Sequence, residues 1–508
     1  MSNRNLNSQS IAWGKVENPI ELPLTLMGKK TFHPEELARH TLIIGGTGSG
    51  KTTSAIKPLL NGFWNYVSKE QLRYAMLVVD PKHELTEYLA GLDERDGTDR
   101  LVVLPDPSAP RLNPFEGVKD LESFTDKVEF AFNMFESNQA FSGDNAIFRD
   151  GGLGLLRDFA ELEEACYKVS GKSVFSILAQ LIRPGVQQPN FFDGVELLIQ
   201  GTVNGRQYSD SFDLSSVDFD WDHLYAEAYK HEPNAKKAST LDLLAAIVAC
   251  YAPSEIWLCE RFDMYAKDLH KKLSSRDTIR QFGYYASYIK IVTQVFNHPR
   301  FKAVFDWEKA MENDIEQCGQ IGRWLDEGKT LVVRPEIGVL VDEFMMRFIK
   351  QAAFKHMLTR DNKLAPMAYV ADEFQNYISS DSDTGEQNFL DRCRSYRVSC
   401  VLATQSIAGL KDRVLRQEAR AGDSALLSMM NNLNNRLIFA TKDPETVGLL
   451  KSWIEMPSSL SQTHVVENFP PAALSIGQCY WLRDADWSRS QIELEPANDK
   501  THADLKLG

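Results

Sequence analysis

The sequence lacks the features of a secreted or membrane-spanning protein. Its longest apolar run, Leu243–Ala252, follows Asp242 and is much shorter than the about twenty residues that a membrane helix needs. The first ten residues, MSNRNLNSQS, contain no apolar segment of the kind that directs secretion. We therefore predict a cytoplasmic protein in which Leu243–Ala252 forms a buried helix.

Closely spaced cysteines are also absent. The seven cysteines are scattered along the chain and include no C-x-x-C pair. An odd number without close spacing indicates neither a disulfide framework nor a zinc site. We predict that these residues are buried thiols.

Basic residues are fewer than acidic ones, 56 against 70, so the formal net charge is −14. This charge disfavours a protein that coats nucleic acid with its outer surface, although a ring that holds DNA only in its bore can be acidic overall. The chain has 508 residues, of which 43% are hydrophobic and 25% are charged. Such a chain is long enough for about two to four globular domains.

A glycine-rich stretch follows the short apolar run Leu42–Ile44 and fits the pattern G-x-x-x-x-G-K-[ST]. Glycines let backbone N–H groups face phosphate oxygens, and the helix predicted over 54–66 presents its positive N-terminus to the same charge. The pattern predicts a nucleoside triphosphate site formed by Gly45, Gly46, Thr47, Gly48, Ser49, Gly50, Lys51, Thr52 and Thr53.

Within this stretch, Lys51 is expected to reach the β- and γ-phosphates of ATP, and the Thr52 hydroxyl is expected to bind Mg²⁺. A glycine-rich turn before a helix would fit the same pattern by chance. The strand-like run before the loop and the helical pattern after it favour the nucleotide site.

A second acidic motif follows the apolar run Met367–Ala371. In a nucleotide site, Asp372 would hold Mg²⁺ through water, and Glu373 would orient and polarise the attacking water as a general base. An apolar run that ends in Asp-Glu is common by itself. Downstream of a phosphate loop, in an α/β pattern, it predicts the second half of the site.

Polar residues also follow other predicted strands. Gln405 follows the strand predicted over 399–403, where it could sense the γ-phosphate, or mark an ordinary strand end. Asp80, Lys82 and Glu84 follow the strand predicted over 74–79, and they either approach the nucleotide or a neighbouring subunit, or form a turn with a helix cap.

Three arginines, Arg392, Arg394 and Arg397, precede the strand at 399–403. One of them could act on a neighbouring subunit's nucleotide as an arginine finger. Salt-bridged surface arginines are the alternative.

Strand-like and helix-like patterns divide the chain into segments. We predict a twisted, mainly parallel α/β sheet with helices on both faces, interrupted in sequence by a mostly α-helical insertion. The predicted divisions are an N-terminal lead with an edge strand (1–38), two parts of a nucleotide-binding domain (39–120 and 311–490), an inserted helical domain (121–310) and a tail (491–508).

Two features of the insertion stand out. The segment 195–213 suggests a short hairpin around Asn204. Basic and aromatic residues alternate over 270–290, which suits single-stranded DNA but would also suit a helix with a packed aromatic stripe and a solvated basic face.

The ordered motifs ARHTLIIGGTGSGKT, VVDPKHEL, RLNPF, VADEF, RSYRVSCVLATQS and NNRLIFATKDPET resemble those of the type IV coupling proteins of conjugation and type IV secretion, the TraG/TraD/TrwB group. The resemblance spans about residues 38–450. It implies a RecA-like P-loop ATPase that uses ATP and Mg²⁺ and forms a hexamer. It also implies single-stranded DNA, a relaxase or effector proteins and a type IV secretion channel as partners.

The resemblance also assigns roles to residues. It makes Lys51 and Thr52 the phosphate-loop pair, Asp372 and Glu373 the metal and water-activating acids, and Gln405 the γ-phosphate sensor. Arg394, eleven residues before Gln405, matches the arginine that acts on a neighbouring subunit.

The chain departs from the family in one respect. Members usually carry N-terminal transmembrane helices, whereas about forty residues precede the phosphate-loop strand here and contain no such helix. Either a separate membrane protein anchors this chain at the inner membrane, or the motor serves another use. A monomer in isolation would fit either case.

Two alternative functions also fit these motifs. A double-stranded DNA translocase of the FtsK/HerA type would share the fold and both nucleotide motifs. An adaptor that recruits protein substrates would use nucleotide only as a switch.

Overall fold

The computed structural model describes two separate compact units of the 508-residue chain. One unit comprises Met1–Ala109 with Gln320–Gly508, and the other comprises Pro110–Gly319. The residues described are 20–26, 29–32, 34–68, 70–114, 116, 151, 154, 298–306, 318–379, 385–417, 422–454, 466, 470–483 and 486–491. The predicted hairpin at 195–213, the buried helix at 243–252 and the basic and aromatic segment at 270–290 lie outside them.

Eleven strands are present in these ranges. They are β1 (Ile20–Leu26), β2 (Lys29–Phe32), β3 (Thr41–Ile44), β4 (Ala75–Val79), β5 (Leu101–Leu104), β6 (Thr330–Val333), β7 (Met367–Ala371), β8 (Val398–Thr404), β9 (Asn435–Ile438), β10 (Gln478–Arg483) and β11 (Asp486–Gln491).

Ten α-helices accompany the strands in the described part of the chain. They are α1 (Pro34–Leu37), α2 (Lys57–Asn65), α3 (Glu84–Asp96), α4 (Pro299–Val304), α5 (Ile321–Asp326), α6 (Leu340–Thr359), α7 (Glu386–Cys393), α8 (Ile407–Gln417), α9 (Gly422–Asn432) and α10 (Pro444–Ile454). None of the described helices is both long enough and apolar enough to cross a membrane.

Nine strands form one sheet in the order β11-β10-β9-β3-β8-β7-β4-β6-β5. All pairs from β9 to β5 are parallel, while β10 pairs antiparallel with β9 and β11. Strands β4, β7 and β8 are buried along their whole length, as expected for central strands covered by helices on both faces. The predicted α/β fold class is confirmed.

The structure differs from the sequence predictions at the chain's two ends. The predicted edge strand, now β1, pairs with β2 in a separate two-stranded sheet. The hairpin of β10 and β11 was not predicted. Strand β9 is also short, because helix α9 extends to Asn432 and only Asn435–Ile438 are extended. Local composition does not distinguish these cases, because pairing partners far along the chain decide them.

The helix after the glycine-rich loop begins with a wider turn. Residues Thr52–Ile56 form a π-helical turn, in which the N–H of Lys57 donates to the carbonyl of Thr52. Pro58 follows directly and has no N–H to donate to the carbonyl four residues earlier. The wider turn therefore accommodates the proline ring, and α2 continues regularly from Lys57.

The second unit is described only around its ends. Helix α4 begins at His298, whose side chain accepts a hydrogen bond from the N–H of Arg300. Leu112 forms parallel bridges with Phe305 and Gly319. These contacts bring the start and the end of the unit together.

A single carboxylate, that of Asp443, caps two helices. It accepts hydrogen bonds from the N–H of Ile407 (3.1 Å) and Ala408 (3.3 Å) at the start of α8. It also accepts from the N–H (3.1 Å) and hydroxyl (2.6 Å) of Thr446 in α10. Burial alone would raise the pKa of Asp443, but these hydrogen bonds outweigh it and lower the pKa below its ordinary value of 3.8.

We expect Asp443→Ala to destabilise the first unit by about 2 kcal/mol, because two helices lose their cap. Asp443→Asn, which keeps one acceptor, should lose less. Since the folded pKa lies below the unfolded one, the stabilisation is present above pH 3.8 and is lost as the pH falls through the folded pKa. Thermal melting of the wild type, Asp443→Ala and Asp443→Asn between pH 7 and pH 3 measures this stabilisation. A difference in melting temperature between the wild type and Asp443→Ala that does not become smaller at low pH would contradict the prediction.

Candidate active site

Four neighbouring parallel strands, β3, β8, β7 and β4, end at one edge of the sheet. Ile44 lies beside Thr404, Leu402 beside Ala371, and Ala371 beside Val79. The segments that follow these strands therefore meet, although they are far apart in sequence. Ligands of open α/β sheets bind at this edge.

The glycine-rich loop after β3 has a conformation that other residues would resist. Gly48 and Gly50 have φ angles of +76° and +93°, in the region that favours glycine. A Cβ at Gly45 would lie 2.6 Å from the hydroxyl of Ser49 and 2.7 Å from Cβ of Phe439. No described residue accepts a hydrogen bond from the N–H of Gly48 or Gly50. The loop thus offers free N–H groups in a backbone cradle that suits phosphate oxygens.

The Lys51 side chain folds into this loop. Its ammonium donates to the carbonyl of Gly45 and to that of Gly46 at 3.3 Å, and the residue is only 6% exposed. Burial lowers the pKa of Lys51, while the charges of Glu373 and Asp372 oppose this effect. The lysine and the two acids are therefore close enough for their charges to interact.

Asp372 lies directly after β7 and is 1% exposed. Its Oδ1 accepts a hydrogen bond from the N–H of Glu373 at 2.9 Å, whereas its buried Oδ2 has no partner among the described residues. Burial raises the pKa of Asp372 to about 6. A buried carboxylate oxygen without a partner fits a divalent cation, which would favour the ionised form. The Asp372 carboxylate and the Thr52 hydroxyl, which lies at the start of the helix after the glycine-rich loop, are oxygen ligands that suit Mg²⁺.

Glu373 is also 1% exposed, and its backbone is left-handed, with φ 50°. Both carboxylate oxygens accept from the side-chain amide of Gln405, at 3.0 and 2.9 Å. One oxygen also accepts from the ammonium of Lys82, and the other from the Gln375 amide at 2.7 Å. Burial alone would raise the pKa of Glu373, but the hydrogen bonds from Lys82, Gln405 and Gln375 lower it below its ordinary value.

The residues that follow β4 make different contacts. Asp80 is fully buried and accepts hydrogen bonds from the N–H (2.7 Å) and hydroxyl (2.6 Å) of Thr86, so it anchors the start of α3. Lys82 instead faces the site and pairs with Glu373. Glu84 is the exposed first residue of α3.

The remaining phosphate-loop residues and Gln405 lie at the same edge. Thr52 opens the π-helical turn, and the exposed hydroxyl of Thr53 donates to the carbonyl of Gly50 at 3.3 Å. Gln405 follows β8, which lies between β3 and β7. The strand order therefore explains why Gln405 reaches Glu373.

The arginines lie elsewhere. Arg394 ends α7 before β8 begins, so it is at the opposite edge of the sheet, and β8 separates it from the site by about 20 Å. Arg392 and Arg394 are exposed, and neither guanidinium pairs with a described residue. Arg397 donates to the carbonyl of Leu364 at 3.2 Å. The structure does not bring these residues to the site of their own chain.

A second cluster was not predicted from the sequence. His40, Cys393 and Cys400 are buried together, with Nε2 of His40 3.6 Å from Sγ of Cys393 and the two sulfurs 3.9 Å apart. Nδ1 of His40 accepts the N–H of Cys400 at 3.2 Å, so the neutral ring carries its proton on Nε2. Metal-binding imidazoles usually donate from their second nitrogen, so this geometry favours a hydrogen-bonded thiol cluster over a metal site.

Two contacts of the site were also missed. Gln375 lies two residues beyond Glu373 and has no distinctive sequence pattern. Lys82 was considered a possible nucleotide contact, and only the structure pairs it with Glu373. The four described cysteines, Cys318, Cys393, Cys400 and Cys479, are buried thiols.

Comparisons with known proteins agree with this architecture. Residues 10–186 match the family model described as "Type IV secretory system Conjugative DNA transfer". No curated protein matches the sequence significantly.

Two solved structures share the fold. The bacterial conjugative coupling protein TrwBdeltaN70, in an unbound monoclinic form, is 12% identical with a TM-score of 0.50, and the alignment covers 93% of this chain and 89% of that one. The plasmid coupling protein TrwB in complex with ADP and Mg²⁺ is also 12% identical with a TM-score of 0.50, over 92% of this chain and 88% of that one. Residues 10–186 are thus similar to the type IV secretory system family for conjugative DNA transfer, and the chain shares the fold of the coupling protein TrwB.

Proposed function

We propose that this protein is an ATPase that couples ATP hydrolysis to the transfer of single-stranded DNA, with its bound relaxase, or of effector proteins to a type IV secretion channel. The observation that carries the proposal is the convergence of Lys51, Asp372, Glu373 and Gln405 at one edge of the sheet. The family match of residues 10–186 supports the coupling role.

Nucleotide binding would use the loop residues 45–53. The free N–H groups of Gly48 and Gly50 would donate to phosphate oxygens, and Lys51 would exchange the carbonyls of Gly45 and Gly46 for the β- and γ-phosphates. That exchange is favourable because an ammonium forms stronger hydrogen bonds to anionic oxygens than to neutral carbonyls. TrwB was solved with ADP and Mg²⁺, which supports the same ligands here.

Hydrolysis would rely on Glu373. Its carboxylate would accept a proton from a water molecule whose oxygen attacks the γ-phosphorus, and the bond to the ADP oxygen would break. Thr52 and Asp372 would hold Mg²⁺, which neutralises phosphate charge when bound. Gln405 would report the loss of the γ-phosphate through its bonds to Glu373.

Arg394 is proposed to act on the nucleotide of a neighbouring subunit. It is exposed and lies at the sheet edge opposite its own site, so it could complete only another copy's site. A homohexamer would supply such a neighbour, and a monomer would then hydrolyse ATP slowly.

The proposed domain functions and the proposed location follow from the coupling role. Residues 39–120 and 311–490 would form the motor, and residues 121–310 a helical domain, between the lead at 1–38 and the tail at 491–508. The protein would work in the cytoplasm, and a separate membrane protein could hold it at the inner membrane beside the channel.

The test is ATP turnover by the purified full chain without DNA, with single-stranded DNA and with duplex DNA, at several protein concentrations. We expect single-stranded DNA to stimulate turnover, and the rate to rise more than linearly with protein concentration. Lys51→Ala should abolish turnover, because its contacts to the phosphates are lost.

The other outcomes favour the alternatives. Stimulation by duplex DNA only would indicate a double-stranded DNA translocase of the FtsK/HerA type. Nucleotide binding with negligible turnover under every condition would indicate the switched adaptor.

A further inference from the structure

The Glu373 carboxylate is saturated with donors in this structure. Its two oxygens accept four hydrogen bonds, two from Gln405, one from Gln375 and one from Lys82. A carboxylate offers about four lone-pair positions, so none is left for water. A general base must have one position free to accept the proton of the attacking water. One donor therefore has to leave before Glu373 can act.

Lys82 is the donor best suited to leave. Gln375 and Gln405 are neutral amides, whereas Lys82 is a cation on a long flexible side chain. Its side chain is 36% exposed, while that of Glu373 is 1% exposed, so the ammonium lies at the open side of the carboxylate.

The backbone beneath Lys82 is fixed while its side chain can move. Asp80 and Thr86 tie the turn to the start of α3 through hydrogen bonds of 2.7 and 2.6 Å. His83, the next residue, has a left-handed backbone with φ 66°. A fixed turn of this kind holds the base of the lysine at the strand end and leaves only its side-chain torsions to change.

The terminal phosphate of ATP would attract this ammonium. Lys82 pairs with Glu373, and Glu373 also accepts from Gln405, which follows β8, the neighbour of the strand that leads into the Lys51 loop. A γ-phosphate beside Lys51 would therefore lie within reach of a second cation at this edge of the site. Lysine binds phosphate oxygens through strong charge-assisted hydrogen bonds.

We propose that Lys82 holds the Glu373 carboxylate in the nucleotide-free site and moves to the γ-phosphate of ATP, which frees Glu373 for the attacking water. The proposal rests on the nucleotide site described under the proposed function. It makes Lys82 a γ-phosphate-binding residue that distinguishes ATP from ADP.

The test is calorimetric binding of ADP and of the non-hydrolysable ATP analogue with an imido bridge, both with Mg²⁺, to the full chain. Lys82→Met should weaken binding of the analogue by about tenfold to a hundredfold, the loss of one charge-assisted hydrogen bond. Binding of ADP should stay within about twofold, because ADP has no γ-phosphate. Lys82→Arg should restore most of the affinity for the analogue, since arginine also donates to phosphate.

Lys329→Met is the matched control. Lys329 lies just before β6, at the opposite edge of the sheet, and its ammonium is 3.8 Å from the carboxylate of Glu327. The substitution Lys329→Met removes the same charge from a lysine–glutamate pair, and it should change the affinity neither for ADP nor for the ATP analogue. Thermal melting of each variant checks that the fold is retained.

The outcomes separate this inference from the proposed function. If the wild type binds both nucleotides and Lys82→Met affects them equally or not at all, Lys82 does not sense the γ-phosphate and the inference is wrong. If the wild type binds neither nucleotide, the proposed function fails, and this inference fails with it.

Discussion

Glu373→Gln should lower ATP turnover by about 10²- to 10⁴-fold, the usual contribution of a general base. An amide has the shape of the carboxylate but cannot take the proton from water. Binding of the nucleotide should not weaken, because the loop that cradles the phosphates is unchanged and Lys82 loses only its pair with Glu373. Turnover is measured by phosphate release, and binding by calorimetry with the imido-bridged ATP analogue.

Glu87→Gln is the control for this prediction. Glu87 is an exposed residue of α3, and its substitution makes the same change of charge on the neighbouring helix. It should leave turnover unchanged. If Glu373→Gln retains wild-type turnover while Lys51→Ala abolishes it, another residue is the base and the assignment of Glu373 is wrong.

Lys350→Met should destabilise the first unit by about 3–5 kcal/mol, because it leaves a buried carboxylate without its cation. Lys350 in α6 is 2% exposed and pairs with Glu386 of α7, which is 1% exposed. The Glu386 carboxylate also accepts from the N–H of Ser379 at 2.7 Å, and Lys350 also donates to the carbonyl of Tyr377. The pair thus joins the segment that follows Asp372 and Glu373 to the helix that precedes Arg394.

Amide hydrogen exchange in the buried strand β7 measures this loss as a free energy of opening. The double variant Lys350→Met/Glu386→Gln should recover part of it, since neither charge then remains buried alone. Lys411→Met, in an exposed pair 3.9 Å from Glu445, should cost no more than about 1 kcal/mol. Equal effects of Lys350→Met and Lys411→Met would contradict the prediction.

The strands and motifs of the site could be predicted because their signals are local. A fully buried parallel strand is a continuous apolar run, and β4, β7 and β8 each appear as one in the sequence. The polar residues that follow each run fall at the carboxyl edge of the sheet whatever the strand order. This is why the sequence could place Lys51, Asp372, Glu373 and Gln405 at one edge of the sheet before the fold was known.

The partners of these residues could not be predicted in the same way. Sequence indicated that Asp80, Lys82 and Glu84 belong to one strand end, but not that Asp80 would cap a helix while Lys82 would pair with Glu373. The antiparallel hairpin of β10 and β11 and the cluster around His40 also depend on residues from distant parts of the chain.

The sequence by itself therefore determined the fold class, the glycine-rich loop and the position of the acidic pair, because hydrophobic periodicity and glycine conformation act over a few residues. Only the tertiary structure decided that β8 lies between β3 and β7, which places Gln405 against Glu373. It also decided that Lys350 and Glu386 are buried together and that Arg394 lies at the sheet edge opposite Glu373. These features depend on which strands and helices pack side by side, and that is set by the energy of the whole core rather than by any short segment.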